Sequence, residues 1–237
     1  MAKSVVLPGD KILLDSKCAV IGPGLVAHDK PGVVRAVNCG LIRQRTEDVD
    51  GEEGNSALWI DCDNHRYVPV LGDRVIGQVV QKMGAEGWKL EIGCAELANL
   101  SNLSFEGATK RNRPDVKIGD LVYGHITQTI EPEIVCISED RRARSYGVLP
   151  SSGGWLVRST PSRIRKLLSS QCQLFTLLGK KAPFEVTCGV NGWIWVKAHT
   201  LRQTMFVTKA IEMSRHLTSD HMQELVERLD KEQLKSF

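Results

Sequence analysis

Lys110-Arg111-Asn112-Arg113-Pro114 sets three cations within four residues, and Arg141, Arg142 and Arg144 add three more downstream. Ammonium and guanidinium groups at this density suit phosphate oxygens, because they release counterions and, for arginine, present a forked donor. These six side chains are the candidate phosphate contacts, although a solvated loop kept soluble by charge would have the same composition. Bond-breaking chemistry has no comparable signal. The chain contains no G-x-x-x-x-G-K-[ST], no G-x-S-x-G, no H-E-x-x-H and no Cys and His near enough in sequence to suggest a site. Asp61-x-Asp63 is a lone pair of carboxylates, a pattern that caps turns more often than it holds metal. No catalytic residue, metal or cofactor is expected.

The elements that must carry the cations are marked by a phrase that occurs twice. Leu71-Gly72-Asp73-Arg74-Val75-Ile76-Gly77-Gln78-Val79 and Ile118-Gly119-Asp120-Leu121-Val122-Tyr123-Gly124-His125-Ile126 share Gly-Asp, Val and Gly at matching offsets. Gly-Asp makes a turn, and the residues after it alternate as a strand does. The glycine inside each strand predicts a bulge, a bend or a close backbone approach. Gly87–Gly93 and Glu133–Ser138 read as further strands, and Ala98–Asp115 as a long insertion carrying the basic loop. Four or five short strands in about 75 residues fit a small closed barrel of the OB type, whose sheet face binds oligonucleotides. Such barrels stack bases on exposed rings, for which Trp88, Phe105 and Tyr123 are the candidates here; each is expected in the core instead.

Charge is unevenly spread. Between Lys110 and Lys181 there are 13 Lys and Arg against 6 Asp and Glu, a local +7, which leaves −4 for the rest of a chain whose total is +3. This asymmetry favours a polyanionic partner, and makes the acidic N-terminal part the expected protein-docking surface. The seven cysteines form no C-x-x-C pair, which fits a reduced protein of the cytoplasm or nucleus whose cysteines are small buried hydrophobes. No stretch has the length of a membrane span.

Upstream of the barrel, Pro8-Gly9-Asp10 is a third Gly-Asp turn, Gly22-Pro23-Gly24 another turn, and Val33–Ile42 and Ala57–Asp61 read as strands. Downstream the period changes. Two short helices over 162–168 and 172–179 precede Phe184–Cys188 and Trp193–Lys197, strands joined through Gly189-Val190-Asn191-Gly192, and two amphipathic helices close the chain at 200–216 and 219–234. The fold class is thus mainly β with an α+β C-terminal part, in three domains at 1–68, 69–147 and 148–237.

Taken in order, Pro8-Gly9-Asp10, Gly22-Pro23-Gly24-Leu25, Gly72-Asp73-Arg74-Val75-Ile76-Gly77, Lys110–Pro114 and Gly189-Val190-Asn191-Gly192-Trp193-Ile194-Trp195-Val196 resemble the cap subunits of the RNA exosome. The resemblance implies an N-terminal β domain, an S1-type OB barrel and a KH-type domain. It implies a subunit without catalytic residues that holds together a ring of RNase PH-like proteins beside other cap subunits. Such a subunit guides single-stranded RNA, with weak sequence preference, towards an associated exoribonuclease for rRNA maturation and mRNA decay. It further implies residence in nucleus and nucleolus as well as cytoplasm. A free-standing RNA-binding regulator of translation or ribosome assembly is the alternative, and a nuclease a third reading that lacks its carboxylate cluster. One departure stands out: KH domains clamp RNA at a G-x-x-G loop, and the junction here is Leu168-Ser169-Ser170-Gln171-Cys172. Gly189, Asn191 and Gly192, with Trp195, are accordingly read as a structural hairpin packed on a neighbouring domain.

Overall fold

The Gly-Asp phrase makes the same turn at each of its three occurrences in the computed structural model. The structure describes residues 5–14, 18–46, 56–63, 66–84, 86–109, 112, 114–138, 140, 142–170, 172–217 and 219–235. Gly9, Gly72 and Gly119 take φ of 99°, 81° and 96°, a region that costs any other L-residue. The following aspartate then donates its N–H back three residues, to Leu7, Val70 and Lys117. Asp10 and Asp120 close the turn a second time, accepting the N–H of Leu7 and Lys117 on a carboxylate oxygen at 2.8 Å. Asp73 uses its carboxylate differently, taking the Tyr67 hydroxyl at 2.6 Å. Tyr67 is buried in the barrel core, and burial together with Asp73 raises its pKa.

The chain divides into two compact units, Met1–Asp63 and Asn64–Phe237. In the first, β1 (Val5–Val6), β2 (Lys11–Leu13), β3 (Cys18–Ile21), β4 (Leu25–Ala27), β5 (Val33–Ala36), β6 (Gly40–Thr46) and β7 (Ser56–Asp61) form two small sheets, ordered β1-β6-β7-β3 and β2-β5-β4. Val6, Leu25, Val34, Ala36, Leu58 and Ile60 fill the space between them. The stretch read as one strand over 33–42 is two: the chain leaves one sheet at Ala36 and enters the other at Gly40, where a Cβ would meet Ile60 Cγ2 at 2.7 Å.

The second unit opens with the barrel. Its strands are β8 (Arg74–Met83), β9 (Gly87–Glu91), β10 (Ala98–Ser101), β11 (Leu121–Gln128), β12 (Glu133–Val135) and the short β13 (Gly147–Val148). The order β12-β10-β9-β8-β11 closes through β11–β12 pairing, so five strands make the barrel and β13 lies on the outer edge of β11. The two copies of the phrase pair with each other, Val122 opposite Gly77 and Gly124 opposite Val75, an approximate two-fold. The relation extends to the turns: Gly72 N–H bonds Ile126 C=O as Gly119 N–H bonds Val79 C=O, each at 2.8 Å. Both strand glycines mark close approach. A Cβ on Gly77 would sit 2.9 Å from Leu90 Cδ2, and one on Gly124 would sit 2.8 Å from the Val135 carbonyl. Ala98–Ser101, expected within a long insertion, is a barrel strand, because Ala98 and Leu100 point inward opposite Leu90 and Trp88. The insertion therefore starts at Asn102.

The chain then runs β14 (Gly154–Arg158), α1 (Pro161–Leu168), α2 (Leu174–Gly179), β15 (Phe184–Cys188), β16 (Trp193–Ala198), α3 (Leu201–Met213), a 3-10 turn (Ser214–His216) and α4 (Ser219–Lys235). The sheet order is β14-β16-β15. Ile194 and Val196 turn one face of the sheet to the helices, joining Ile164, Leu174, Phe206, Val207, Ala210 and the α4 residues Met222, Leu225 and Leu229. Trp193 and Trp195 alternate to the other face and meet the barrel residues Ile76 and Tyr123. Thr200 caps α3 by accepting the Gln203 N–H at 3.2 Å. Among the cysteines whose burial is described, only Cys136 is fully buried, and burial pushes its thiol up to about 12; Cys39 is exposed.

Gly124→Ala tests the barrel crossing. The new methyl group must displace Ile134 or the Val135 backbone, so stability should fall by about 1–3 kcal/mol. Urea denaturation checks this; an unchanged midpoint would show that the crossing has slack.

Candidate nucleic-acid interface

β10 and β12 run parallel, so the loops that follow them leave the barrel at the same end. These are the two loops that carry the basic segments in sequence. Their described parts are joined twice: Cys136 N–H donates to Ser104 C=O at 2.8 Å, and Ala143 N–H donates to the Glu106 carboxylate at 2.7 Å. Lys110, Arg111, Arg113 and Arg141 lie outside the described residues. Their neighbours are ordered by local bonds: Asn112 N–H to Thr109 Oγ1, Thr109 N–H to Asn112 C=O, and Ser138 N–H to Arg142 C=O, each at 2.9 Å. Arg142 is exposed. Arg144 is exposed too, but its guanidinium is ion-paired with Asp140, and it is the one described non-glycine residue with positive φ, 49°.

The barrel's own sheet face is acidic. Along β9 and β10 run two shallow grooves, of about 300 and 390 Å³, that share Asn99 and Glu131. Glu86 and Glu133 line one and Glu96 the other, with Lys89 as the single cation. No aromatic platform compensates. Trp88 is 5% exposed and meets Phe105 edge to face at 6.4 Å inside the barrel, and Tyr123 is 8% exposed beneath the tryptophans of β16. The expectation that these three rings belong to cores holds. Tyr146 was missing from that set; it precedes β13, is only partly buried, and leans on Tyr123 and His125 with centroids 5.4 Å from each. Its position at the end of a basic loop was the available signal. Carboxylates along the strand face disfavour a phosphate backbone there.

The junction between α1 and α2 carries no glycine. Cys172, just before α2, has its sulfur 4.0 Å from that of Met222 on α4, and Lys181 pairs with Asp230 at 2.7 Å, so α4 is fastened along α2. The Gly189–Gly192 hairpin instead enters the barrel surface. Asn191 is 1% exposed, and its amide donates to the carbonyls of Ile76 and Ile92 at 2.8 and 2.9 Å while its oxygen accepts the Ile76 N–H at 3.2 Å. Val190 N–H adds a bond to Arg74 C=O at 2.7 Å. Glycine is required on both sides: a Cβ on Gly189 would lie 2.7 Å from Ile76 N, and Gly192 has φ 95° and would press a Cβ into the Ser159 carbonyl. Trp195 packs its indole over Gly154, and Arg158 lies 4.7 Å over the Trp193 ring while donating to Gln78. The hairpin is a weld between two domains.

A closed five-stranded barrel welded to a βααββα domain is an S1–KH architecture, and family models match in that order. The S1 domain of exosome complex component RRP40 matches residues 67–147, and a KH domain matches 154–202. Human exosome complex component RRP40 is 39% identical over 95% of this chain and 90% of its own length, and the bovine protein is 38% identical over 95% and 90%. The chain belongs to the exosome complex component RRP40 family. A crystal structure provisionally described as an exosome complex RNA-binding protein has the same fold, with TM-score 0.60 and 20% identity over 73% of this chain and 99% of that one.

Asn191→Ala leaves three backbone groups at the weld without their partner, and should cost about 2–4 kcal/mol. Gly192→Ala should cost more than about 1 kcal/mol. Thermal and urea denaturation measure both, and RNA affinity per folded molecule should change little. A stable Gly192 variant that had lost RNA binding would instead make the hairpin a clamp.

Proposed function

We propose that this chain is a non-catalytic RNA-binding cap subunit of the RNA exosome. It helps hold the ring of RNase PH-like subunits together beside the other cap subunits, and guides single-stranded RNA towards the associated exoribonuclease for 3′-to-5′ processing and decay, rRNA maturation and mRNA turnover included. Similarity to human RRP40 along almost the whole chain carries this reading. The barrel supports it physically: cation-bearing loops leave one end, and rings that would impose base selectivity are buried. RNA is then held by phosphate charge with weak sequence preference. Among the described residues no three His, Cys, Asp or Glu side chains are placed to hold a metal ion, and no helix is long and apolar enough to cross a membrane.

Two measurements decide the matter. Tagged chain expressed in its own cells should co-purify stoichiometrically with ring proteins, and the purified chain with magnesium and phosphate should leave a labelled single-stranded RNA at full length. A chain that runs alone is a free-standing regulator; cleavage that survives stringent purification makes it a nuclease.

Lys110, Arg111 and Arg113 are assigned the main phosphate contacts, with Arg141, Arg142 and Arg144 beside them. Neutralising the first three to Gln should weaken binding of unrelated RNAs alike and flatten the salt dependence by up to roughly 0.7 log units for each phosphate no longer neutralised. An unchanged slope in a salt titration would move the phosphate contacts to Arg142 and its neighbours.

A further inference from the structure

On the outer face of β8 and β11, cross-strand pairs stand in three rows, Gln78–Leu121, Ile76–Tyr123 and Arg74–His125. The KH-type domain covers the first two: Arg158 reaches Gln78, Asn191 grips Ile76, and Trp193 and Trp195 pack with Tyr123. Its last contact along the strand is Val190 N–H on the Arg74 carbonyl, so the Arg74–His125 row lies at the rim of the weld. Arg74 is exposed, and its charge opposes the rise that burial imposes on the Tyr123 hydroxyl pKa. His125 and Tyr146 are partly exposed and lean on one another, and His125 Nδ1 is buried without a hydrogen-bond partner. Tyr146 closes the loop that carries Arg142, and its N–H is bonded to Ala143 C=O at 2.7 Å.

We propose that this rim, Arg74 with His125 and Tyr146, is a binding point for one nucleotide of single-stranded RNA. A base stacks against the His125–Tyr146 pair and the adjoining phosphate is held by Arg74. The proposal rests on the RNA-binding reading above and deepens it by naming where a base is held. Two features point to a nucleotide. Paired rings next to an exposed cation match a ligand with both a π face and a negative charge. The acidic grooves on β9 and β10 turn the RNA away from the usual OB face, so contact is displaced to this side of the barrel. An acidic peptide would satisfy Arg74 but would leave the rings without a stacking partner.

The test uses the full chain and a short mixed-sequence RNA carrying 4-thiouridine. Photo-crosslinks mapped by mass spectrometry should fall on His125, Tyr146 or their immediate neighbours. Tyr146→Leu should weaken RNA binding about fivefold or more with the salt slope unchanged, and Tyr146→Phe, which keeps the ring, should bind as wild type does. Arg74→Gln should weaken binding and lower the salt slope by up to roughly 0.7. Crosslinks confined to other segments, or full affinity in Tyr146→Leu and Arg74→Gln, overturn the proposal while RNA binding by the wild type keeps the broader reading intact. Variants that bind RNA normally but no longer co-purify with ring proteins also overturn it, making the rim a protein contact. If wild-type chain binds no RNA, alone or in its complex, both readings fall together.

Discussion

One carboxamide makes three of the hydrogen bonds that join the two domains of the second unit. Asn191 gives them all to backbone groups of the barrel, and it does so at 1% exposure, where an unmatched polar group is costly. The side chain can reach those groups only because Gly189 lets the hairpin press against Ile76 N and Gly192 turns it away under the Ser159 carbonyl. Trp193 and Trp195 then fall on the barrel while Ile194 and Val196 fall on the helices. With both faces buried, β16 serves packing on either side and leaves no face for a ligand.

The barrel receives the KH-type domain on the outer face of its phrase-to-phrase strand pair, which is nearly two-fold symmetric. The inward positions Val75, Val79, Val122 and Ile126 are equivalent in the core, whereas the outward positions differ in kind: Arg74 and His125 at one end, Gln78 and Leu121 at the other. Symmetry in the core with asymmetry outside lets one geometry serve both closure and docking. The same division separates charges, with carboxylates along β9 and β10 and guanidinium groups in the loops.

Much of this was legible in the residues. Gly-Asp turns, strand glycines and the Asn-Gly hairpin act through backbone geometry, which is local, and so the barrel and the β15–β16 hairpin were readable. What depended on distant partners was not. Ala98–Ser101 looks like loop because Asn99 and Ser101 are poor strand formers, yet Leu90 and Trp88 opposite supply its register. β14 starts on the second residue of Gly153-Gly154, a pair that suggests a turn; Gly154 is there to admit the Trp195 indole, a reason visible only in three dimensions. The stretch 33–42 reads as continuous because nothing local marks the change of sheet. Of the candidate site, the loops were found by charge, whereas the rim row escaped notice because Arg74, His125 and Tyr146 are up to 72 residues apart in the chain.

The parallel run of β10 beside β12 has a consequence for how such a protein can change over generations. The two loops are tied to one another near their roots, at Ser104–Cys136 and Glu106–Ala143, while the described residues beyond Gly107 make no ladder with the barrel until Gly119 pairs with Val79. Lengthening that span costs little beyond loop closure, about 0.6 kcal/mol for each doubling. Residues can therefore be gained, dropped or respaced there by insertion and deletion without disturbing the barrel or the weld, so the charge of this loop is free to drift while the scaffold stays held by its packing.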